Sequence, residues 1–76
     1  MNGLVLFTTT TCGPCQNAKA WLQQRNVSFQ EVNLDQRQDL IPWLAQQTGQ
    51  RTVPQFFVDE KWVPGGFPAV QAQFGG

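Results

Sequence analysis

Histidine is absent from this 76-residue chain, and cysteine occurs only twice. A structural zinc site needs four ligands, so the chain could complete a tetrahedron only with carboxylates or a second copy of itself. Charge is scarce as well: Asp, Glu, Lys and Arg make up 13% of the residues, against roughly 25% in typical soluble domains. Five cations balance five anions, so no excess of either sign steers the chain toward nucleic acid or an anionic membrane. The N-terminus carries no basic region, and its longest early apolar run is Leu4 to Phe7, too short for a signal peptide or a membrane span. A cytoplasmic protein is the expectation. Linkers, internal repeats and composition shifts are missing too, which leaves room for one domain, residues 1–76.

What the chain does have is aromatic bulk. Three Trp and six Phe contribute to an apolar fraction of 41%, so large side chains can supply buried area that the short length withholds. The surface is furnished by glutamine more than by Lys and Glu. Gln16, Gln23, Gln24, Gln36, Gln38, Gln46, Gln47, Gln71 and Gln73 are scattered through polar stretches without forming a tract, the pattern of a solvated face.

Both cysteines fall in Thr11-Cys12-Gly13-Pro14-Cys15, directly after an apolar run. A strand ending there and a helix beginning there would put Cys12 at the helix N-terminus, where unpaired N–H groups and the helix dipole favour a thiolate. Pro14 suits a first helical turn because its missing N–H would have had no intrahelical partner. Cys15 then lies almost one turn further along on nearly the same face, within disulfide reach of Cys12. Besides zinc, two other readings compete with redox chemistry. A purely structural disulfide across so short a loop yields only roughly 2 kcal/mol in the loop-closure model, and two inert core cysteines would not need Gly-Pro between them. A Cys-x-x-Cys beside a βαβ pattern is instead the signature of a dithiol redox site, and in a reducing compartment a cysteine pair is more often catalytic than structural.

In chain order, Gly3 to Thr8 reads as a strand buried on both faces. The first helix is predicted from Gly13 to Arg25, with Thr10 or Thr11 capping its start, Cys15, Ala18, Trp21 and Leu22 on the buried face, and Asn26 as the stop. Val27 to Leu34 reads as a second strand, parallel to the first, whose alternation slips once between Phe29 and Val32 in the manner of a bulge or a strand end. Asp35 and Asp39 compete as the N-cap of the second helix. A regular helix from Asp39 to Thr48, ended by Gly49 and burying Leu40, Trp43 and Leu44, is favoured over a helix from Gln36 kinked at Pro42. Thr52 to Val58 forms the third strand, Asp59-Glu60 a tight turn, Lys61 to Val63 the fourth strand, and Pro68 to Phe74 a last helix ended by Gly75-Gly76. The sum is an α/β order β-α-β-α-β-β-α, a four-stranded mixed sheet with helices on both faces.

With Cys12-Gly13-Pro14-Cys15 after the first strand, Thr52-Val53-Pro54 opening the third and Gly65-Gly66 before the last helix, essentially the whole chain resembles a glutaredoxin-like small redoxin of the thioredoxin fold. The resemblance implies a dithiol–disulfide oxidoreductase with no bound cofactor beyond a redox-active Cys12–Cys15 disulfide. Thr11, Gly13 and Pro14 would form the active-site loop. It further implies a cis Val53–Pro54 bond beside the cysteines, with Thr52, Val53, Pro54, Gly65, Gly66 and Phe67 contacting the substrate and the Val53 backbone pairing with a peptide-like disulfide. The chain departs from the family in instructive places. Gly-Pro is the dipeptide of thioredoxins rather than the Pro-Tyr of most glutaredoxins, yet Thr11 and Leu6 stand where thioredoxins carry Trp and a buried Asp. Members that use glutathione tend to have a Lys before the motif and Asp residues after the Gly-Gly, where this chain has Thr9, Phe67 and Pro68.

The small redoxins that donate electrons to class Ib ribonucleotide reductase, recharged by thioredoxin reductase, have a similar stretch to Trp62-Val63-Pro64-Gly65-Gly66-Phe67-Pro68, with fewer residues between the Trp and the Gly-Phe pair. Phe67 and Trp62 can equally be core residues beneath the hairpin. A monomer that reduces a protein disulfide is the expectation, with thioredoxin reductase or glutathione as its reductant. An iron–sulfur cluster shared between the Cys12 thiolates of two copies is the rival from a different class, and a chaperone-like or purely structural domain is the third.

Overall fold

Leu4-Val5-Leu6-Phe7 lie in an inner strand of a four-stranded sheet in the computed structural model, which describes residues 3–75. This strand, β1 (Leu4–Thr8), pairs on one side with the parallel β2 (Gln30–Asn33) and on the other with the antiparallel β3 (Gln55–Val58), beyond which lies β4 (Lys61–Trp62). Successive side chains of a strand point to opposite faces, which is why an inner strand reads as an unbroken apolar run. Leu4 and Leu6 join Phe56 in one core cluster, and Phe7 joins Phe57 in another. The helices α1 (Gly13–Gln24) and α3 (Phe67–Phe74) close the first cluster with Ala18, Leu22 and Val70. On the opposite face, α2 (Ile41–Thr48) contributes Leu44 to the second. The element order, the mixed sheet and the two helical layers are those the sequence predicts.

Several boundaries move, each for a physical reason. The slip in the second strand is a strand end and not a bulge: β2 begins at Gln30 instead of Val27, and Val5 to Thr8 pair in unbroken register with Gln30 to Asn33. Val27 and Phe29 pack on the α1 side, whereas Val32 and Leu34 pack on the α2 side, so the apolar residues change faces as the covering helix changes. Neither Asp35 nor Asp39 caps α2. A single 3-10 turn over Gln38–Leu40 leads into it, and Pro42 sits in its first turn, where no N–H is missed. Trp43, expected in the core, is 42% exposed, and its ring leans on Phe7 and Phe57 at centroid distances of 5.9 and 5.6 Å. The third strand begins at Gln55 instead of Thr52, the fourth ends at Trp62, and α3 begins one residue early at Phe67.

The stops are where the sequence puts them. Asn26 and Gly49 take left-handed backbone angles, φ 58° and 71°, behind α1 and α2. Asp59 and Glu60 both have positive φ, as a two-residue hairpin turn matched to strand twist requires. Gly75 follows α3, and Gly76 lies outside the described residues.

Candidate active site

Three loops meet at one end of the sheet because of strand direction alone. β1 runs toward that end and delivers Thr9 to Cys12. β3 starts there, since its first residue Gln55 pairs with Phe7, so Thr52, Val53 and Pro54 precede it at the same end. β4 returns antiparallel to β3, the N–H of Val63 donates to the carbonyl of Phe56 at 2.8 Å, and the chain reaches Gly65-Gly66 and the first turn of α3 beside the other two loops.

Cys12 is itself the N-cap of α1, with extended angles of φ −96° and ψ 107°, and its Sγ accepts a hydrogen bond from the Cys15 N–H at 3.1 Å. Neither Thr10 nor Thr11 caps the helix as expected. Thr10 is engaged elsewhere: its N–H donates to Asp35 Oδ2 at 2.8 Å and its hydroxyl accepts from Asn33 Nδ2 at 3.3 Å, which fastens the loop before Cys12 to the end of β2 and the residues just after it. Gly13 and Pro14 form the first turn. The two cysteines are joined in a disulfide with a Cα–Cα distance of 5.2 Å, Cys15 fully buried and Cys12 nearly so, with 9% exposure against none. Burial of one sulfur beneath the other gives the pair an order: an incoming disulfide meets Cys12 first.

The Val53–Pro54 bond is cis. The Val53 side chain packs into the second core cluster, and among the described residues its N–H and C=O have no hydrogen-bond partner, which leaves both open to an extended chain laid alongside. Gly65 and Gly66 have φ of 96° and 69°, a backbone path that side chains with a Cβ rarely follow. Phe67 is drawn inward: its ring stacks on Phe56 at 6.1 Å and meets Trp21 edge-on at 5.7 Å. The ring therefore packs as a core residue would, while Phe67 itself stays partly exposed at the start of α3 beside Gly66. Trp62 likewise packs into the second cluster.

Three residues that the sequence reading gave no part in the site turn out to shape this end of the sheet, one of them the Asp35 expected as a helix cap. Glu31, on the α1 side of β2, accepts hydrogen bonds from the buried Thr8 hydroxyl at 2.8 Å and from Lys19 Nζ at 3.0 Å. Lys19 is one helical turn beyond Cys15, so this charged pair stands behind the buried cysteine on the same layer. The other two are Asp35, which holds Thr10, and the buried Gln55, whose carboxamide bonds to Gln50, Thr52 and Trp62. The available signal was a polar residue directly after Val-Pro in an otherwise apolar strand. Among the described residues no cluster of three or more His, Cys, Asp or Glu gathers as a metal would need, and no helix is long and apolar enough to cross a membrane.

The Thr8 hydroxyl first, and then Lys19, hold the Glu31 carboxyl below the usual glutamate range, and the N–H and hydroxyl of Thr10 do the same for Asp35. A carboxyl whose pKa is lower folded than unfolded adds stability above its unfolded value, and that stability disappears as pH falls through the folded one. The melting temperature is therefore expected to hold from pH 8 to about 5 and to fall below ~4.3, the unfolded glutamate value. Glu31→Gln should shorten that acid decline, and a decline of equal depth in Glu31→Gln and the parent would assign it elsewhere. Thermal melts across pH measure it.

The comparisons with known proteins agree with this geometry. The glutaredoxin family model matches residues 4–63. A glutaredoxin from Pseudomonas aeruginosa is 40% identical over 65 residues, covering 86% of this chain and 77% of that protein, and glutaredoxin 3 of Escherichia coli is 35% identical with 86% and 78% covered. The buckwheat glutaredoxin–glutathione complex superimposes with a TM-score of 0.80 at 39% identity, covering 95% of this chain and 67% of that one. On a thioredoxin fold with a disulfide-forming Cys12-Gly13-Pro14-Cys15, the chain belongs to the glutaredoxin family of thiol–disulfide oxidoreductases.

Proposed function

We propose that the protein is a monomeric, cytoplasmic dithiol electron carrier that reduces protein disulfides and is recharged by thioredoxin reductase, with a ribonucleotide reductase of class Ib as the kind of acceptor it serves. In the reduced protein, the Cys12 thiolate attacks one sulfur of the substrate disulfide and expels the other as a thiolate, leaving a mixed disulfide. Cys15 then gives up its proton and attacks Cys12, which releases the second substrate thiol and closes Cys12–Cys15. The substrate gains two electrons from the protein and the one proton that Cys15 gives up, and its other thiolate takes a proton from water, because Cys12 entered the reaction already ionised. Val53 holds the peptide on either side of the substrate disulfide through its free N–H and C=O, with Thr52 and Pro54 shaping that edge and Gly65 and Gly66 leaving room opposite.

The observation that carries the choice of reductant is the shortage of charge around Cys12. Glutathione presents two carboxylates and an ammonium. Thr9, Phe67 and Pro68 supply no charge to meet them, and most cations of the chain are engaged elsewhere. Lys19 is bound to Glu31, Arg37 to Asp39 at 3.2 Å, Arg25 lies 4.5 Å over the Trp21 ring, and Lys61 stands in β4 opposite Val58 at the far end of the sheet from the cysteines. Among the described residues that leaves Arg51, next to Thr52. Two missing charge-assisted hydrogen bonds at ~1.5–3 kcal/mol each correspond to a loss of about 10²- to 10⁴-fold.

Steady-state reduction of one protein disulfide, driven by NADPH with thioredoxin reductase or by glutathione with its own reductase, tests the proposal. The expected kcat/KM is greater with thioredoxin reductase by at least about a hundredfold. Equal or better turnover with glutathione would overturn it and favour the second reading, a glutathione-dependent glutaredoxin, which the likeness to the buckwheat glutaredoxin–glutathione complex and the position of Arg51 support.

A further inference from the structure

Gln55 is the first residue of β3 and directly follows the cis proline, yet its side chain is buried, with 4% exposure. Both ends of its carboxamide are used. Its Oε1 accepts from the indole Nε1 of Trp62 at 2.9 Å. Its Nε2 donates to the carbonyl of Thr52 and to Oε1 of Gln50, each at 3.0 Å, with the Thr52 hydroxyl at 3.3 Å. The orientation of the amide is dictated by its partners, because an indole N–H can only donate and a backbone carbonyl can only accept. A glutamate here would set a carboxylate against the Thr52 carbonyl, and an apolar residue would leave that carbonyl and Trp62 Nε1 without their partners.

These bonds all run to the loops around the cysteines. Gln50 and Thr52 belong to the segment that leads into Val53, and Trp62 belongs to the strand that leads to Gly65-Gly66. The far end of the 49–54 segment is fixed separately: the Thr48 hydroxyl accepts from the Gln50 N–H and lies 3.0 Å from its carbonyl. Val53 is thus suspended between a carbonyl held by Gln55 on one side and the start of β3 on the other, while its own N–H and C=O have no partner among the described residues.

We infer that Gln55 is a positioning residue for substrate binding: its carboxamide, through Thr52 and Gln50, sets where the Val53 backbone meets a peptide disulfide, and Trp62 sets the carboxamide. The inference rests on the reading of Val53 as the peptide-pairing residue. It separates binding from sulfur chemistry, because among the described residues Gln55 hydrogen-bonds to neither cysteine and belongs to a different strand from the one that feeds α1. A peptide disulfide needs the Val53 edge, whereas bis(2-hydroxyethyl) disulfide has no backbone to pair with it and needs only Cys12.

The test compares the parent with Gln55→Met, which keeps the bulk and removes the hydrogen bonds, using dithiothreitol as reductant. Two substrates are turned over, a cysteinyl tripeptide in mixed disulfide and bis(2-hydroxyethyl) disulfide, and the Cys12–Cys15 potential is measured. For Gln55→Met the KM of the peptide substrate is expected to rise about tenfold with kcat within about twofold, while the KM for bis(2-hydroxyethyl) disulfide and the potential stay unchanged. Leu22→Val, which lowers stability from the core of α1, should move neither KM. Should Gln55→Met fail to fold, Gln50→Ala on the exposed loop removes one of the same bonds, with an expected rise of about threefold in the peptide KM alone. An equal rise for both substrates, or no rise for either, would overturn the inference. A parent protein that does not distinguish the two substrates would instead overturn the reading of Val53.

Discussion

Cys12→Ser loses protein-disulfide reduction down to the uncatalysed background, whereas Cys15→Ser still reacts once with a substrate and remains attached to it. The asymmetry follows from burial and from the helix start. Cys12 Sγ lies at the N-cap of α1, accepts the Cys15 N–H and has the exposure that Cys15 lacks. A thiolate at that position is stabilised by the helix dipole and unpaired N–H groups, and serine in its place has a hydroxyl that does not ionise near neutral pH. Without Cys15 the first attack proceeds and the second has no nucleophile, so the mixed disulfide accumulates. Intact-mass spectrometry of each variant after exposure to a peptide disulfide reads the outcome directly. An adduct on Cys12→Ser and none on Cys15→Ser would reverse the two roles.

Phe56→Ala is expected to remove about 3–5 kcal/mol of stability, the range for deleting a buried aromatic ring. Phe56 is fully buried in the layer between the sheet and helices α1 and α3, stacked on Phe67 and packed among Leu4, Leu6, Leu22 and Val70. Small domains of about this length hold only ~4–11 kcal/mol in total, at 0.05–0.15 kcal/mol per residue, so one ring accounts for a large share. Phe67 loses its stacking partner in the same change, and with it part of what fixes the first turn of α3 beside Gly65-Gly66. Urea unfolding gives the number. A loss below ~1.5 kcal/mol would mean that the layer collapses to fill the space instead of leaving a cavity.

What could be read along the chain and what could not divide by sequence distance. The Cys-x-x-Cys, Pro14 in a first turn, the left-handed stops at Asn26 and Gly49 and the hairpin at Asp59-Glu60 are decided within a few residues, and the structure has each of them where the local chemistry demands. The face change around β2 is different: Val27 and Phe29 ahead of the strand follow α1 while Val32 within it and Leu34 after it follow α2, and no window of one strand contains both helices. Trp43 reads as core by type and spacing, but α2 covers the sheet with Leu44 and leaves the indole at the rim. Glu31 meets Thr8 and Lys19 across 23 and 12 positions, and Gln55 meets Trp62 across seven through a strand pairing. Those polar contacts depend on register, which forms only when the sheet does.

The two packed layers on either side of the sheet divide the labour of this small protein. Cys15 lies on the buried face of α1, along which Ala18 and Leu22 join the layer closed by α3, whereas Val53 packs into the layer closed by α2 with Phe7, Phe57 and Trp62. A substitution in the α2 layer therefore reaches the substrate edge at Val53 without entering the packing around Cys15, whereas one in the α1–α3 layer reaches both the sulfurs and, through Phe67, the turn at Gly65-Gly66.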